Sequence, residues 1–134
     1  DFVCHPGLTV GYRIEAGSRV LAYLPDHEPA LSEDDFPHDP LWTSGYEIAR
    51  DADVLIHDSQ LAPSEYETRV GWGHSTVVDA IAFADLAGAR RLVTYHHDPS
   101  HDDETIDCLI DEARDLVKPS CEVLPGHEGD EVEV

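Results

Sequence analysis

An aspartate beside a histidine, Asp26-His27, follows a run that reads as a β-strand, Arg19-Val-Leu-Ala-Tyr-Leu24. Three further places repeat the idea: His57-Asp58 after Val54-Leu-Ile56, Gly73-His74-Ser75, and His96-His97-Asp98 after Arg91-Leu-Val-Thr-Tyr95. Imidazoles and carboxylates gathered at strand ends are the donor set of a hydrolytic metal site. Neutral imidazole with carboxylate suits zinc, manganese or iron; calcium prefers oxygen alone. An aspartate at a strand end can bridge two ions. A histidine backed by a carboxylate supplies a proton or a contact to developing charge, and His57, Asp58 and His74 form that second set.

Taken singly, these residues have plainer readings. Asp26 alone is a turn aspartate, His57-Asp58 a solvated pair or a cap, and His74 a structural hydrogen-bonding group. The consecutive His96 and His97 after a buried strand are harder to explain without a ligand. His27, His38, His101 and His127 lie in acidic loops and read as solvated, with support of the site as a minority reading for His101.

The elements that must position these groups follow from the hydrophobic pattern. Leu8–Ile14 and Arg19–Leu24 read as an antiparallel hairpin turned by residues 15–18. Residues 27–40 are an acidic, proline-bearing loop, and Leu41–Arg50 a short helix. Ala52–His57 is a short strand of the buried type, and residues 63–67 a helical turn. A helix follows Ser75 or Thr76 as N-cap, with Val77, Ile81, Ala84 and Gly88 on one face. Arg91–Tyr95 is the next strand. A second helix places Ile106, Leu109, Ile110, Ala113 and Leu116 on one stripe. Residues 122–124 and 131–134 read as two terminal strands. The pattern is a mixed α/β layer, and helices on one face only would leave the other face of the sheet bare.

The 134 residues suffice for a single domain with a modest core. With 29 acidic and 8 basic residues the net charge is −21. Such a chain repels nucleic-acid backbones and anionic lipid, so nucleic acid is an unexpected partner and no membrane association is foreseen. Cys4, Cys108 and Cys121 have no CxxC spacing, which argues against a disulfide framework or a thiolate zinc site. No apolar run approaches a membrane span, and a cytoplasmic location is the default expectation.

The motifs His5-Pro-Gly-Leu-Thr-Val-Gly-Tyr-Arg-Ile14, Leu24-Pro-Asp26, Leu55-Ile-His-Asp58, Gly73-His-Ser-Thr76 and Leu92-Val-Thr-Tyr-His-His97, in this order, resemble the C-terminal half of the metallo-β-lactamase-fold hydrolases. The resemblance is closest to the ribonuclease Z and phosphodiesterase branch. It implies an αββα sandwich of which residues 1–134 form the C-terminal αβ half. It implies a dinuclear centre, with zinc foremost and manganese or iron as alternatives. His5 resembles one metal ligand, Asp26 the bridging aspartate, and His96 the last histidine ligand, with His97 its neighbouring alternative. His74 resembles the histidine at the scissile phosphate, and Asp58 the acidic residue that orients it. The family's first metal motif, His-x-His-x-Asp-His, belongs upstream of His5 and is not in these residues, so the sequence is expected to be part of a longer protein.

In ribonuclease Z enzymes a tRNA-grasping arm usually separates the counterparts of His5 and Asp26. Here 20 residues lie between them. With the negative charge, this directs the expectation to a small phosphodiester or cyclic nucleotide as substrate. The rivals are a lactone or thioester hydrolase of the same fold and a catalytically silent sensing or interaction module. A homodimer is an expectation of the resemblance alone.

Overall fold

The computed structural model describes residues 1–31, 36–40 and 42–134. Five strands form one sheet in sequence order: β1 (Tyr12–Ala16), β2 (Arg19–Leu24), β3 (Val54–Asp58), β4 (Arg91–Tyr95) and β5 (Glu122–Pro125). β1 and β2 are an antiparallel hairpin, and Gly17, at φ +63°, opens the two-residue turn between them. The remaining neighbours are all parallel, so their chains must cross over by helices. These are α1 (Tyr46–Ala49), α3 (Val77–Leu86) and α4 (Asp103–Val117); α2 (Pro63–Tyr66) is a single turn between β3 and α3.

Parallel pairing fixes where chemistry can collect. Leu24, His57 and Thr94 lie in one row across β2, β3 and β4. The C-terminal ends of all three strands therefore open at the same sheet edge, where polar groups of open α/β sheets meet. Asp26, Asp58 and His96 stand within two residues of that row.

The core lies between the sheet and the helices. Ala22, Leu24, Leu55 and Leu92 meet Ile48, Val77, Ile81, Phe83, Ala84 and Ile110, all buried. Thr76, not Ser75, is the N-cap of α3: its side chain accepts the Asp79 N–H. Asp102 caps α4 in the same way through Thr105, and Lys118, at φ +52°, ends that helix.

Several expected boundaries move. The first strand begins at Tyr12, because residues near its expected start make only an isolated bridge, Val10 to Phe2. The helix expected over 41–50 is confined to Tyr46–Ala49; Leu41 and residues 32–35 of the acidic loop lie outside the described residues. On α4, Val117 packs on the core and Leu116 is 71 % exposed. Position 117 is three turns beyond Ile106 and so returns to its face, whereas position 116 falls short of it. Gly88 is exposed, just past the end of α3.

The sheet face away from the helices carries Leu21, Tyr23, Val54, Ile56, Val93 and Tyr95, which line an open cleft of about 820 Å³. Residues 126–134 run along this cleft without pairing as the expected terminal strand.

Candidate metal centre

Four side chains converge at the shared sheet edge. Asp26, Asp58, His74 and His96 each offer a ligand atom, and these atoms all lie within 4.8 Å of one another. Asp26 comes from the turn after β2, Asp58 from the last position of β3, His74 from the turn before α3, and His96 from just beyond β4.

Asp58 is the hub and is fully buried. Its Oδ1 accepts the Gln60 N–H at 3.0 Å, and its Oδ2 accepts His74 Nδ1 at 2.8 Å and the His27 N–H at 3.2 Å. His96 Nδ1 lies 3.3 Å from Asp26 and 3.9 Å from Asp58. Burial alone would raise the Asp58 pKa, but contacts from the His74 and His96 rings hold it below the ordinary carboxylate value. The His96 pKa is raised, first by Asp58, against the effect of its own burial.

His96 takes φ +59°, a left-handed conformation that is uncommon for a non-glycine residue. This backbone reversal separates it from His97. The His97 ring contacts Thr94 Oγ1 at 3.2 Å, and burial lowers its pKa. Of the two consecutive histidines, His96 is the one in the cluster.

The structure does not bring every expected residue into this group. His5 lies beside it, its ring centroid 5.8 Å from that of His74. Its Nδ1 accepts the Gly7 N–H at 2.9 Å and is also 2.9 Å from Thr9 Oγ1. In that arrangement a neutral ring carries its proton on Nε2. For Nε2 to ligate a metal, the proton must move to Nδ1, where Thr9 Oγ1 can accept it.

His57, expected in the catalytic set, needs correction. Side chains alternate along a strand, and with Asp58 turned to the cluster the His57 ring points into the core against Phe83, centroids 4.9 Å apart. His27, expected to be solvated, is fully buried beside it. His57 Nδ1 lies 2.6 Å from the Asp58 carbonyl, which can only accept, so that nitrogen carries the proton. His57 Nε2 must then accept from His27 Nδ1 at 2.8 Å. Hydrophobic position along the chain does not report this pair; the alternation of β3 was the available signal.

Burial lowers the pKa of both rings, and for His27 the neighbouring His57 adds to the effect. The unfolded chain takes up protons below about pH 6.5, where the buried rings resist them. Stability from this pair is therefore complete above that pH and is lost as the pH falls through it. The loss is at most about 1.4 kcal/mol per pH unit for each ring. His96, raised and partly exposed, contributes with the opposite sign. Melting temperatures of the chelator-treated protein should fall between pH 7 and 5; a rise across that window would contradict the neutral buried pair.

The residues present fit a divalent metal. The donor set is two carboxylates and two imidazoles, and His96 Nδ1 is buried without a hydrogen-bond partner. No helix among the described residues is long and apolar enough to cross a membrane.

Known proteins share stretches of this sequence and this fold. The beta-lactamase superfamily domain matches residues 2–97. Ribonuclease Z of Geobacillus kaustophilus is 39% identical over 70 residues, 52% of this chain and 23% of that protein. Ribonuclease Z of Myxococcus xanthus is 40% identical over 75 residues, 56% of this chain and 24% of that protein. Among solved structures, the metallo-beta-lactamase fold protein YhfI from Bacillus subtilis superposes with a TM-score of 0.68 at 22% identity, over 96% of this chain and 46% of that one. Human tRNase Z, short form, superposes with a TM-score of 0.57 at 27% identity, over 72% of this chain and 34% of that one. The matched segment thus spans about a quarter of the length of these curated relatives, and less than half of either solved structure.

These relatives overturn one expectation. Net charge and the short span between His5 and Asp26 argue against nucleic acid as a partner, yet the matched relatives are ribonucleases and a tRNase. Net charge sums the whole sequence, whereas recognition is local to one site. With the match over residues 2–97 joined to this sheet, the chain belongs to the beta-lactamase superfamily domain family, in the metallo-β-lactamase-fold branch that includes ribonuclease Z.

Proposed function

We propose that the protein is a metal-dependent phosphodiester hydrolase whose substrate is an RNA phosphodiester. One observation carries the reading: the His74–Asp58 pair, 2.8 Å apart, sits within the same 4.8 Å group as Asp26 and His96. Asp26 and His96 would hold the metal, with His5 joining through Nε2 once its proton has shifted. Zinc fits the mixed nitrogen and oxygen donors best, with manganese or iron as alternatives. The ion, when bound, supplies Lewis acidity at the phosphoryl oxygens.

The remaining work falls to the chain's own residues. Asp58 accepts from His74 Nδ1, which fixes the ring's orientation and leaves Nε2 directed at substrate. Water forms the new bond to phosphorus as the P–O bond to the leaving group breaks, and protonated His74 donates its Nε2 proton to that leaving oxygen. The His57 ring holds the Asp58 carbonyl behind this pair, and the His27 ring holds His57. The similarity to ribonuclease Z and tRNase Z supports RNA as the substrate class.

The test is turnover by the complete protein, loaded with zinc or manganese, of a tRNA precursor, bis-p-nitrophenyl phosphate and a lactone in parallel. Both phosphodiesters should be hydrolysed, and chelation should abolish this. Lactone hydrolysis without phosphodiester turnover would place the protein with acyl substrates instead.

A further inference from the structure

Glu28 is fully buried, two residues beyond Asp26, and the mechanism above does not use it. Its Oε1 accepts the Tyr66 hydroxyl at 2.8 Å and the Gly71 N–H at 2.8 Å; its Oε2 accepts the Gly73 N–H at 2.6 Å. Its own N–H donates to the Cys4 carbonyl at 3.0 Å, next to His5. One residue therefore joins three segments that reach the site: the turn carrying Asp26, the N-terminal segment carrying His5, held through the Glu28 backbone N–H, and the turn carrying His74, held through the carboxylate.

The geometry of the last turn shows what this linkage achieves. Gly71 and Gly73 take φ +82° and +93°, conformations that L side chains rarely adopt. A Cβ on Gly73 would run into the His5 ring and come within 2.6 Å of Pro6 Cδ. The turn is thus gripped by the carboxylate through its N–H groups while the His5 segment closes over Gly73. His74 follows directly, with no intervening residue to absorb a shift. A buried carboxylate is costly unless its oxygens are satisfied, and here two amides and a phenol satisfy them with short, charge-assisted bonds.

We propose that Glu28 is a positioning residue: through the Gly71 and Gly73 amides it sets where His74 stands relative to Asp58, Asp26 and His96. The proposal rests on the reading of His74 as proton donor. Glutamine in its place keeps the shape but turns an NH2 group towards one set of donors, so the turn loses its grip on one side.

The experiment compares Glu28→Gln, His74→Ala and the double variant in the complete protein, with amide and imidazole nitrogen NMR of the labelled protein alongside. Glu28→Gln should move the Gly73 amide proton upfield, speed its exchange and shift the His74 ring signals. It should lower kcat about 10–100-fold, more for a phosphodiester with a poor leaving group than for p-nitrophenyl. In the His74→Ala background it should cost little further, because both changes remove one function. Equal losses with and without His74, or an unmoved Gly73 amide and His74 ring, would overturn the proposal. Shifted Gly73 and His74 signals in a protein with no phosphodiester turnover would uphold the positioning while refuting the proposed reaction. A variant that does not fold is replaced by Tyr66→Phe, which removes one donor to the same carboxylate; it should move the same Gly73 and His74 signals, and unchanged signals there also overturn the proposal.

Discussion

His74→Ala is expected to lower kcat on a phosphodiester with an alkoxide leaving group by about 10²–10⁴-fold, the usual worth of a positioned proton donor. KM should change little, since the ring acts on the leaving oxygen as it develops charge and not on the bound ground state. The loss should shrink for p-nitrophenyl esters, whose leaving group needs no proton. The cluster explains why the effect should be large. The His74 side chain is 16% exposed and is held by a carboxylate that is entirely buried, so water is a poor substitute for the ring. Steady-state kinetics on the two leaving groups check this. A uniform loss, independent of leaving group, would remove the proton-donor role from His74.

Asp58→Asn should damage both stability and activity. Its two oxygens receive the Gln60 N–H, the His27 N–H and His74 Nδ1. Asparagine has one oxygen, so its NH2 must face at least one of these donors in a site with no room to turn away. An unsatisfied buried group of that kind costs about 1–3 kcal/mol. If the NH2 faces the imidazole, His74 must present an unprotonated Nδ1 to it and so carries its proton on Nε2 in the neutral ring. The orientation is kept but the doubly protonated donor form of the ring is disfavoured, and kcat should fall about 10–100-fold or more. Urea unfolding of the chelator-treated protein reads the first effect and kinetics the second. An asparagine variant as stable and as active as the parent would show that the charge of Asp58 has no function here.

The two variants also separate the parts of the site. His74 is hydrogen-bonded to Asp58, whereas Asp58 also anchors the backbone at His27. Loss of His74 should therefore leave folding nearly intact, and loss of the Asp58 charge should not.

Much of this was legible in the residues alone. The hairpin, the buried strand Val54–Asp58 and the strand Arg91–Tyr95 announce themselves by apolar runs between turn formers. α4 announces itself by a 3.6-residue stripe. Strand ends rich in histidine and aspartate pointed to the right sheet edge, because a local run of the chain suffices to say where a strand stops. The order and spacing of those motifs identified the family.

Direction within the fold was not local in this sense. His27 and His57 are as polar as His74; the alternation of β3 sets His57 opposite Asp58, but nothing in the flanking residues says which of those two faces enters the core. That follows from β3 standing centrally in the sheet, with one of its faces covered by α3 and Phe83. The choice between His96 and its neighbouring alternative His97 is likewise a matter of which ring reaches the partners on other elements, Asp26 and Asp58. The reach of Glu28 to a turn more than 40 residues away, at Gly71 and Gly73, is of the same kind. Sequence determined which segments become strands and helices and which residue types crowd one edge, because those depend on short-range periodicity and turn chemistry. Only the tertiary structure decided which rings face the cluster, which face the core and which carboxylates hold them, because burial and hydrogen-bond satisfaction are properties of the assembled neighbours and not of the residue itself.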